Sequence, residues 1–86
     1  MNVEARLFAV ARQLAQAEAI SVELPTGATV RDLRNALGEQ HAELRDITAR
    51  ATIAINAEYV GDDARIPVNS TPENIEIALI PPVSGG

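Results

Sequence analysis

The sequence of 86 residues contains no cysteine and no lysine, and it has a single histidine, His41. Without cysteine the chain has no disulfide, no thiolate nucleophile and no thiolate metal ligand. Without lysine it offers no side-chain amine for a Schiff base or for conjugation to itself. One histidine does not build a metal site alone, and we expect His41 to be an ordinary residue at a helix end. Nucleophilic catalysis by cysteine or lysine is therefore excluded.

Aromatic residues and positive charge are also scarce. Phe8 and Tyr59 are the only aromatic residues, and the formal net charge is −5. Nucleic acid binding is therefore not expected, because it relies on positive charge for phosphates and on rings for stacking. No apolar run approaches the roughly 20 residues of a membrane span, and the first residues lack the apolar segment of a signal peptide. We expect a cytoplasmic protein with no membrane contact and with basic partners.

The charges are unevenly distributed along the chain. After residue 50, Arg65 is the only basic residue, and it stands against five carboxylates, namely Glu58, Asp62, Asp63, Glu73 and Glu76. A solvated face and a partner site both produce such a bias, so the pattern alone does not decide between them.

Alternating apolar residues predict strands at residues 2–8, 20–24, 51–56, 58–60 and 75–79. Residues 9–17 are good helix formers without glycine or proline, which predicts a short helix. Thr29 and Asp32 resemble a capping box, and a longer helix should follow with Val30 to Leu44 at roughly helical spacing. Gly38 either ends this helix or lies within it.

This order of elements predicts one α+β domain with a mixed sheet and a helix covering one face. The helical crossover permits the first and last strands to lie parallel. We interpret the pattern as a β-grasp, ubiquitin-like fold over residues 1–80, followed by a C-terminal tail at residues 81–86.

The last residues read IPPVSGG. Pro81 and Pro82 lack N–H donors, so they should stop the final strand and begin a projecting arm of about 20 Å. Gly85 and Gly86 carry no Cβ, which leaves the terminal carboxylate unhindered in a narrow channel. Joined to AMP, that carboxylate would accept a sulfur nucleophile and become a thiocarboxylate, although a simple frayed tail also fits the pattern.

The alternation of strand residues places two large apolar side chains on the solvent side of the sheet. Phe8 follows the inward Leu7, and Ile80 follows the inward Leu79. If the first and last strands are neighbours, Phe8 and Ile80 should form a patch at the base of the tail, joined by Tyr59. Single exposed apolar residues are normal, so an interface and an ordinary surface both remain open.

Four segments of the sequence resemble the MoaD/ThiS family of sulfur carriers, and most of all its molybdopterin branch. They are RLFAVAR at 6–12, PTGATVRDLRNAL at 25–37, INAEYV at 55–60 and IALIPPVSGG at 77–86. The resemblance implies that Gly86 is adenylated, becomes a thiocarboxylate and donates sulfur to cyclic pyranopterin monophosphate in molybdenum cofactor biosynthesis. Gly85 would be its permissive neighbour, and Phe8, Tyr59 and Ile80 would contact the large synthase subunit.

The resemblance also implies the partners, while other functional classes stay open. The partners are a large subunit similar to MoaE, an E1-like adenylating enzyme similar to MoeB and a sulfur donor. The chain would bind no cofactor or metal, since the adenylating enzyme uses the ATP, and it would not be catalytic alone. The alternatives are a carrier of the thiamine or a cysteine pathway, a ubiquitin-like protein modifier, and an acidic binding module with an inert tail.

Overall fold

The computed structural model describes residues 1–69, 71 and 73–82. The strands within this part are β1 (Asn2–Leu7), β2 (Ala19–Glu23), β3 (Thr52–Ile55), β4 (Glu58–Val60) and β5 (Ile77–Ile80). The α-helices are α1 (Ala9–Ala15), α2 (Val30–Gln40) and α3 (Arg45–Arg50), with a 3-10 turn at Ala42–Leu44 between α2 and α3. All strands join one sheet.

The sheet has the strand order β2-β1-β5-β3-β4. β1 and β5 pair in parallel, with Ala5 opposite Ile77 and Leu7 opposite Leu79. The other neighbouring pairs are antiparallel. The predicted mixed sheet and the predicted parallel pairing of the first and last strands are both confirmed, so β5 lies beside β1.

One face of the sheet packs under the helices and forms the core. Leu33 and Leu37 of α2 and Leu44 are fully buried. They join the inward strand side chains in one cluster, which includes Val3, Ala5, Leu7, Val22, Ile53, Ile77 and Leu79. In β1 these residues alternate strictly with exposed ones, as a sheet with one covered face requires. In β5 they alternate with half-buried residues, and in β3 the buried Ile53 is followed by the buried Ala54.

The start of α2 follows the sequence prediction closely. The amide of Asp32 donates to the Thr29 hydroxyl at 3.3 Å, and the Thr29 amide donates to the Asp32 carboxylate at 3.0 Å. This is the predicted capping box, with the shorter aspartate in place of glutamate. Gly38 is buried inside the helix, facing Arg45, and the helix continues to Gln40. Gly38 therefore lies within the helix and does not end it.

The region after α2 differs from the prediction. The longer helix was expected to continue through Leu44, but α2 ends at Gln40, and His41 then turns the chain. The His41 ring Nε2 lies 2.9 Å from the Ser21 carbonyl oxygen, which ties the helix end to β2. The six-residue helix α3 was not predicted. With Ile47 and Thr48 buried, it is too short for helical periodicity to stand out.

Arg34 connects three segments on the helix side of the molecule. Its Nη1 donates to the carbonyl oxygens of Thr48 and Ala51, at 2.7 and 2.6 Å. Its Nε and Nη2 donate to Asp62 Oδ1 at 3.3 and 3.0 Å. Arg31 pairs with Asp63 nearby. Two of the carboxylates in the acidic C-terminal part are therefore neutralised by arginines of the N-terminal half.

Candidate functional site

The outer face of the sheet is the face that the core does not use. The strand register puts Ala54 opposite both Ala78 and Tyr59, and Thr52 opposite Ile80. Because side chains alternate along each strand, these residues share the outer face. Phe8 directly follows β1, the parallel neighbour of β5, and therefore adjoins them.

The structure brings the three sequence-predicted contact residues together around one hollow. Phe8, Tyr59 and Ile80 line it, and its volume is about 360 Å³. Phe8 is 43% exposed and Tyr59 is 76% exposed, while Ile80 is half-buried. We call this surface the outer patch, lined by Phe8, Ala54, Ala57, Tyr59, Glu76, Ala78 and Ile80. Its role in binding stays a prediction.

Sequence reasoning missed the alanines of the outer patch. Ala54 and Ala78 lie on β3 and β5 with the outward parity of Ile80, so strand alternation carried enough information to find them. Ala57 lies in the turn between β3 and β4, where alternation gives no direction. The small side chains of Ala54 and Ala78 leave the space that makes the patch concave.

A charged area borders the outer patch. Arg6 Nη1 donates to Glu76 Oε2 at 2.9 Å, and both side chains are more than half exposed. Glu76 lines the hollow and also a second, polar depression that it shares with Glu4, Arg6 and Glu18. The outer face is therefore apolar near the end of β5 and charged near its beginning.

The turn between β3 and β4 is fixed against the start of β5. Asn56 and Ala57 have positive φ angles of 50° and 69°. The Asn56 amide donates to the Glu76 carbonyl oxygen at 2.8 Å, and the Glu76 amide donates to Asn56 Oδ1 at 2.9 Å. These two bonds hold the turn, and with it one wall of the hollow.

The final strand leads directly to the predicted tail. β5 ends at Ile80, immediately before the two prolines, as predicted. Pro82 is exposed, but Pro81 is buried, so Pro81 packs against the domain and does not project as expected. The domain boundary at residue 80 stays a prediction. Gly85 and Gly86 lie outside the described residues.

The described residues offer no obvious place for a metal ion. Within residues 1–69, 71 and 73–82, no three or more histidine, aspartate or glutamate side chains are grouped so that they could hold one. In the same part of the chain no helix is long and apolar enough to cross a membrane.

Comparison of the sequence with known families finds the ThiS family over residues 5–86. A relative from Dictyostelium discoideum is 35% identical over 81 residues, which cover 93% of this chain and 91% of the relative. That protein is named molybdopterin synthase sulfur carrier subunit, and relatives from a plant, an alga and a fly have the same name.

Solved structures of similar chains confirm the predicted β-grasp fold. SAMP1 of Haloferax volcanii, a small archaeal modifier protein, matches with a TM-score of 0.79 and 26% identity over the whole of both chains. A complex of subunits 1 and 2 of the molybdopterin-converting factor from Helicobacter pylori contains a chain that matches with a TM-score of 0.58. That chain is 25% identical, and the match covers all of both chains.

Proposed function

Because this chain belongs to the ThiS family, we propose that it is the sulfur carrier subunit of a molybdopterin synthase. The position of the outer patch carries the proposal. Ile80 both ends β5 and lines the hollow, and the sequence after it leads through residues 81–86 to the Gly-Gly pair. Ile80 thus belongs to a surface suited to a partner. It also directly precedes the segment that would react inside that partner.

In this proposal the chemistry takes place on Gly86. An E1-like adenylating enzyme joins the Gly86 carboxylate to AMP, consuming ATP and releasing pyrophosphate. A sulfur nucleophile from the sulfur donor attacks the carbonyl carbon and displaces AMP, which leaves a thiocarboxylate. The thiocarboxylate sulfur then bonds to cyclic pyranopterin monophosphate, and water cleaves the bond between that sulfur and the Gly86 carbonyl carbon, which returns Gly86 to a carboxylate. The chain binds no cofactor itself and is a sulfur-donating subunit without catalysis of its own.

The large synthase subunit is the proposed occupant of the outer patch. The Helicobacter pylori complex, in which subunit 1 is bound to subunit 2, supports such a pairing. Phe8, Tyr59 and Ile80 supply the apolar groups that an interface needs at its centre. The adenylating enzyme, the sulfur donor and a cytoplasmic location for all these partners belong to the same proposal.

A protein modifier is the second candidate function. The likeness to SAMP1 favours it, because that chain matches over its whole length with the higher of the two TM-scores given above. A modifier also needs an adenylated C-terminal glycine, but its product is an isopeptide on target lysines. This chain has no lysine, so the targets would have to be other proteins.

The decisive experiment measures sulfur on the C-terminal tryptic fragment of protein isolated from cells with an intact pathway. Arg65 is the last basic residue, so trypsin releases residues 66–86 as one fragment without methionine or cysteine. Sulfur in this fragment resides at the terminus or in an adventitious adduct, and alkylation of the thioacid distinguishes the two. We expect the sulfur to disappear on addition of the pterin precursor and the large subunit.

The variant lacking Gly86 is the matched control. It should keep its melting temperature, because terminal residues contribute little to folding. It should also carry no sulfur. A wild-type fragment that stays unmodified when the donor is present and the precursor is withheld contradicts the carrier function. Covalent conjugates of the wild-type chain on many proteins would then support the modifier.

A further inference from the structure

Ala57 has a backbone conformation that glycine adopts more easily. Its φ angle is 69°, in the left-handed region where a Cβ is crowded. Asn56 before it also has a positive φ, so the two residues form the two-residue connection between β3 and β4 that usually carries Asn-Gly. In this turn Asn56 follows that preference, whereas Ala57 stands where glycine is usual.

Nothing in the turn requires the methyl group of Ala57. The conformation is set by Asn56, through one backbone and one side-chain hydrogen bond to Glu76. Glycine at residue 57 would keep both bonds and would relieve the crowding of the Cβ. Strained residues persist where the surrounding structure imposes them, and they cluster at functional sites. The two hydrogen bonds of Asn56 therefore hold the turn without any contribution from the Ala57 methyl group.

The methyl group lies in the wall of the hollow. Ala57 lines the outer patch together with Ala54, Ala78 and the larger groups Phe8, Tyr59 and Ile80. Ala57 itself is exposed, so its methyl group contributes little buried surface within this chain. It would become buried only when another molecule fills the hollow.

We infer that Ala57 is a contact residue for the large synthase subunit, and that its methyl group closes the side of a hollow that receives an apolar side chain of that subunit. This inference rests on the proposed function, which makes the large subunit the occupant of the outer patch. It adds a fourth contact residue to Phe8, Tyr59 and Ile80, and it explains why the turn has alanine at a position that favours glycine.

Gln16 provides a matched control for the backbone effect. Its φ angle is 55° at the end of α1, so it has the same left-handed conformation as Ala57. Gln16 is exposed and lines a depression with Arg12 and Glu18 that shares no lining residue with the outer patch. A glycine at residue 16 should relieve similar crowding without changing the hollow.

The test compares wild type, Ala57→Gly, Ala57→Asn and Gln16→Gly by thermal unfolding and by calorimetric titration with the large molybdopterin synthase subunit of the same organism. Ala57→Gly should melt at the wild-type temperature or slightly above, and its dissociation constant should rise roughly fourfold for the lost methyl contact. Asparagine tolerates the left-handed region, so Ala57→Asn should also fold, yet it should bind at least about tenfold more weakly. Gln16→Gly should bind like wild type.

Three results would overturn the inference in distinguishable ways. If wild type binds the large subunit and both Ala57 variants bind equally well, Ala57 is not a contact residue, and the proposed function stands. If wild type does not bind the subunit at all, the proposed function fails, and the inference fails with it. Weaker binding of Gln16→Gly to the same extent as Ala57→Gly would also contradict the inference, because the effect would then be a general one of glycine.

Discussion

The two faces of the sheet are built from the same strands and differ in how far their side chains are exposed. Leu79 points inward and is fully buried under the helices, while its neighbour Ile80 points outward and is half-buried. Leu7 and Phe8 form a similar pair at the end of β1, with exposures of 2% and 43%. A difference of one residue therefore separates a side chain of the core from one of the outer patch.

The difference between the faces lies in where their apolar surface is buried. The inner face loses its contact with water when the chain folds, and this burial stabilises the domain by roughly 25 cal/mol for each Å². The outer patch keeps much of its apolar surface in water in the isolated chain. This surface becomes buried only when a partner binds. Substitutions on the inner face should therefore change the free energy of unfolding, and substitutions in the outer patch should change the affinity for the partner.

The largest effect is expected from an inner-face substitution. Leu79→Ala should lower the free energy of unfolding by about 2–5 kcal/mol, because it leaves a cavity in a fully buried site. Tyr59→Ala, on the outer face with 76% exposure, should change it by only about ±0.5 kcal/mol. Urea unfolding of both variants measures the difference. Equal destabilisation by the two substitutions would show that the outer face also supports the fold.

On the helix side, too, a substitution should destabilise the fold more when the side chain is buried than when it is exposed. Arg34→Ala removes charged hydrogen bonds from a side chain that is only 18% exposed, and it leaves two carbonyl oxygens without this donor. We expect a loss of about 1.5–3 kcal/mol in unfolding free energy.

Arg31→Ala is the control for this prediction, because Arg31 pairs with Asp63 in an exposed ion pair that should contribute at most about 1 kcal/mol. Arg34→Lys should recover only part of the loss, since lysine lacks the planar fork that reaches Asp62 and the carbonyls together. If Arg31→Ala lowered the free energy of unfolding as much as Arg34→Ala, burial of the Arg34 side chain would not be the reason for its larger contribution.

These predictions rest on features that sequence reasoning found to different degrees. Alternation along β1 and β5 is a local pattern, so the inward and outward directions of Leu7, Phe8, Leu79 and Ile80 followed directly from the sequence. The capping box of α2 is equally local and was also found.

The features that were missed depend on contacts between distant residues. The turn at Ala57 is held by Glu76, about twenty residues further along the chain. The sequence around residue 57 does not predict that contact. The burial of Pro81 depends on how the chain leaves β5, and the six residues of α3 cannot show a helical period. Local patterns thus located the outer patch, while tertiary contacts determine its detailed shape.

A charge on the outer patch should affect binding and leave the fold nearly unchanged. Phe8→Asp should weaken binding to the large subunit by more than about 1–2 kcal/mol, as the loss of a central apolar contact does. Its unfolding free energy should change by only about 0.5 kcal/mol. Gln13→Asp adds the same charge to an exposed residue of α1 outside the patch and should bind like wild type. Unaltered affinity of Phe8→Asp would show that the patch is incidental.

The smallest expected change in unfolding free energy concerns a polar residue in the otherwise apolar interior. Thr48 in α3 is the only polar residue that is buried among the described residues, and its hydroxyl has no hydrogen-bond partner there. Thr48→Val replaces the hydroxyl with a methyl group of similar size and should raise the unfolding free energy by up to about 1 kcal/mol. Thr48→Ser keeps the hydroxyl, loses the methyl group and should lower it by a similar amount. The backbone carbonyl that accepts from Arg34 is present in both variants, so thermal unfolding isolates the side chain. A stability loss in Thr48→Val would mean that the hydroxyl is stabilised in solution, and that the interior depends on a polar contact as well as on apolar packing.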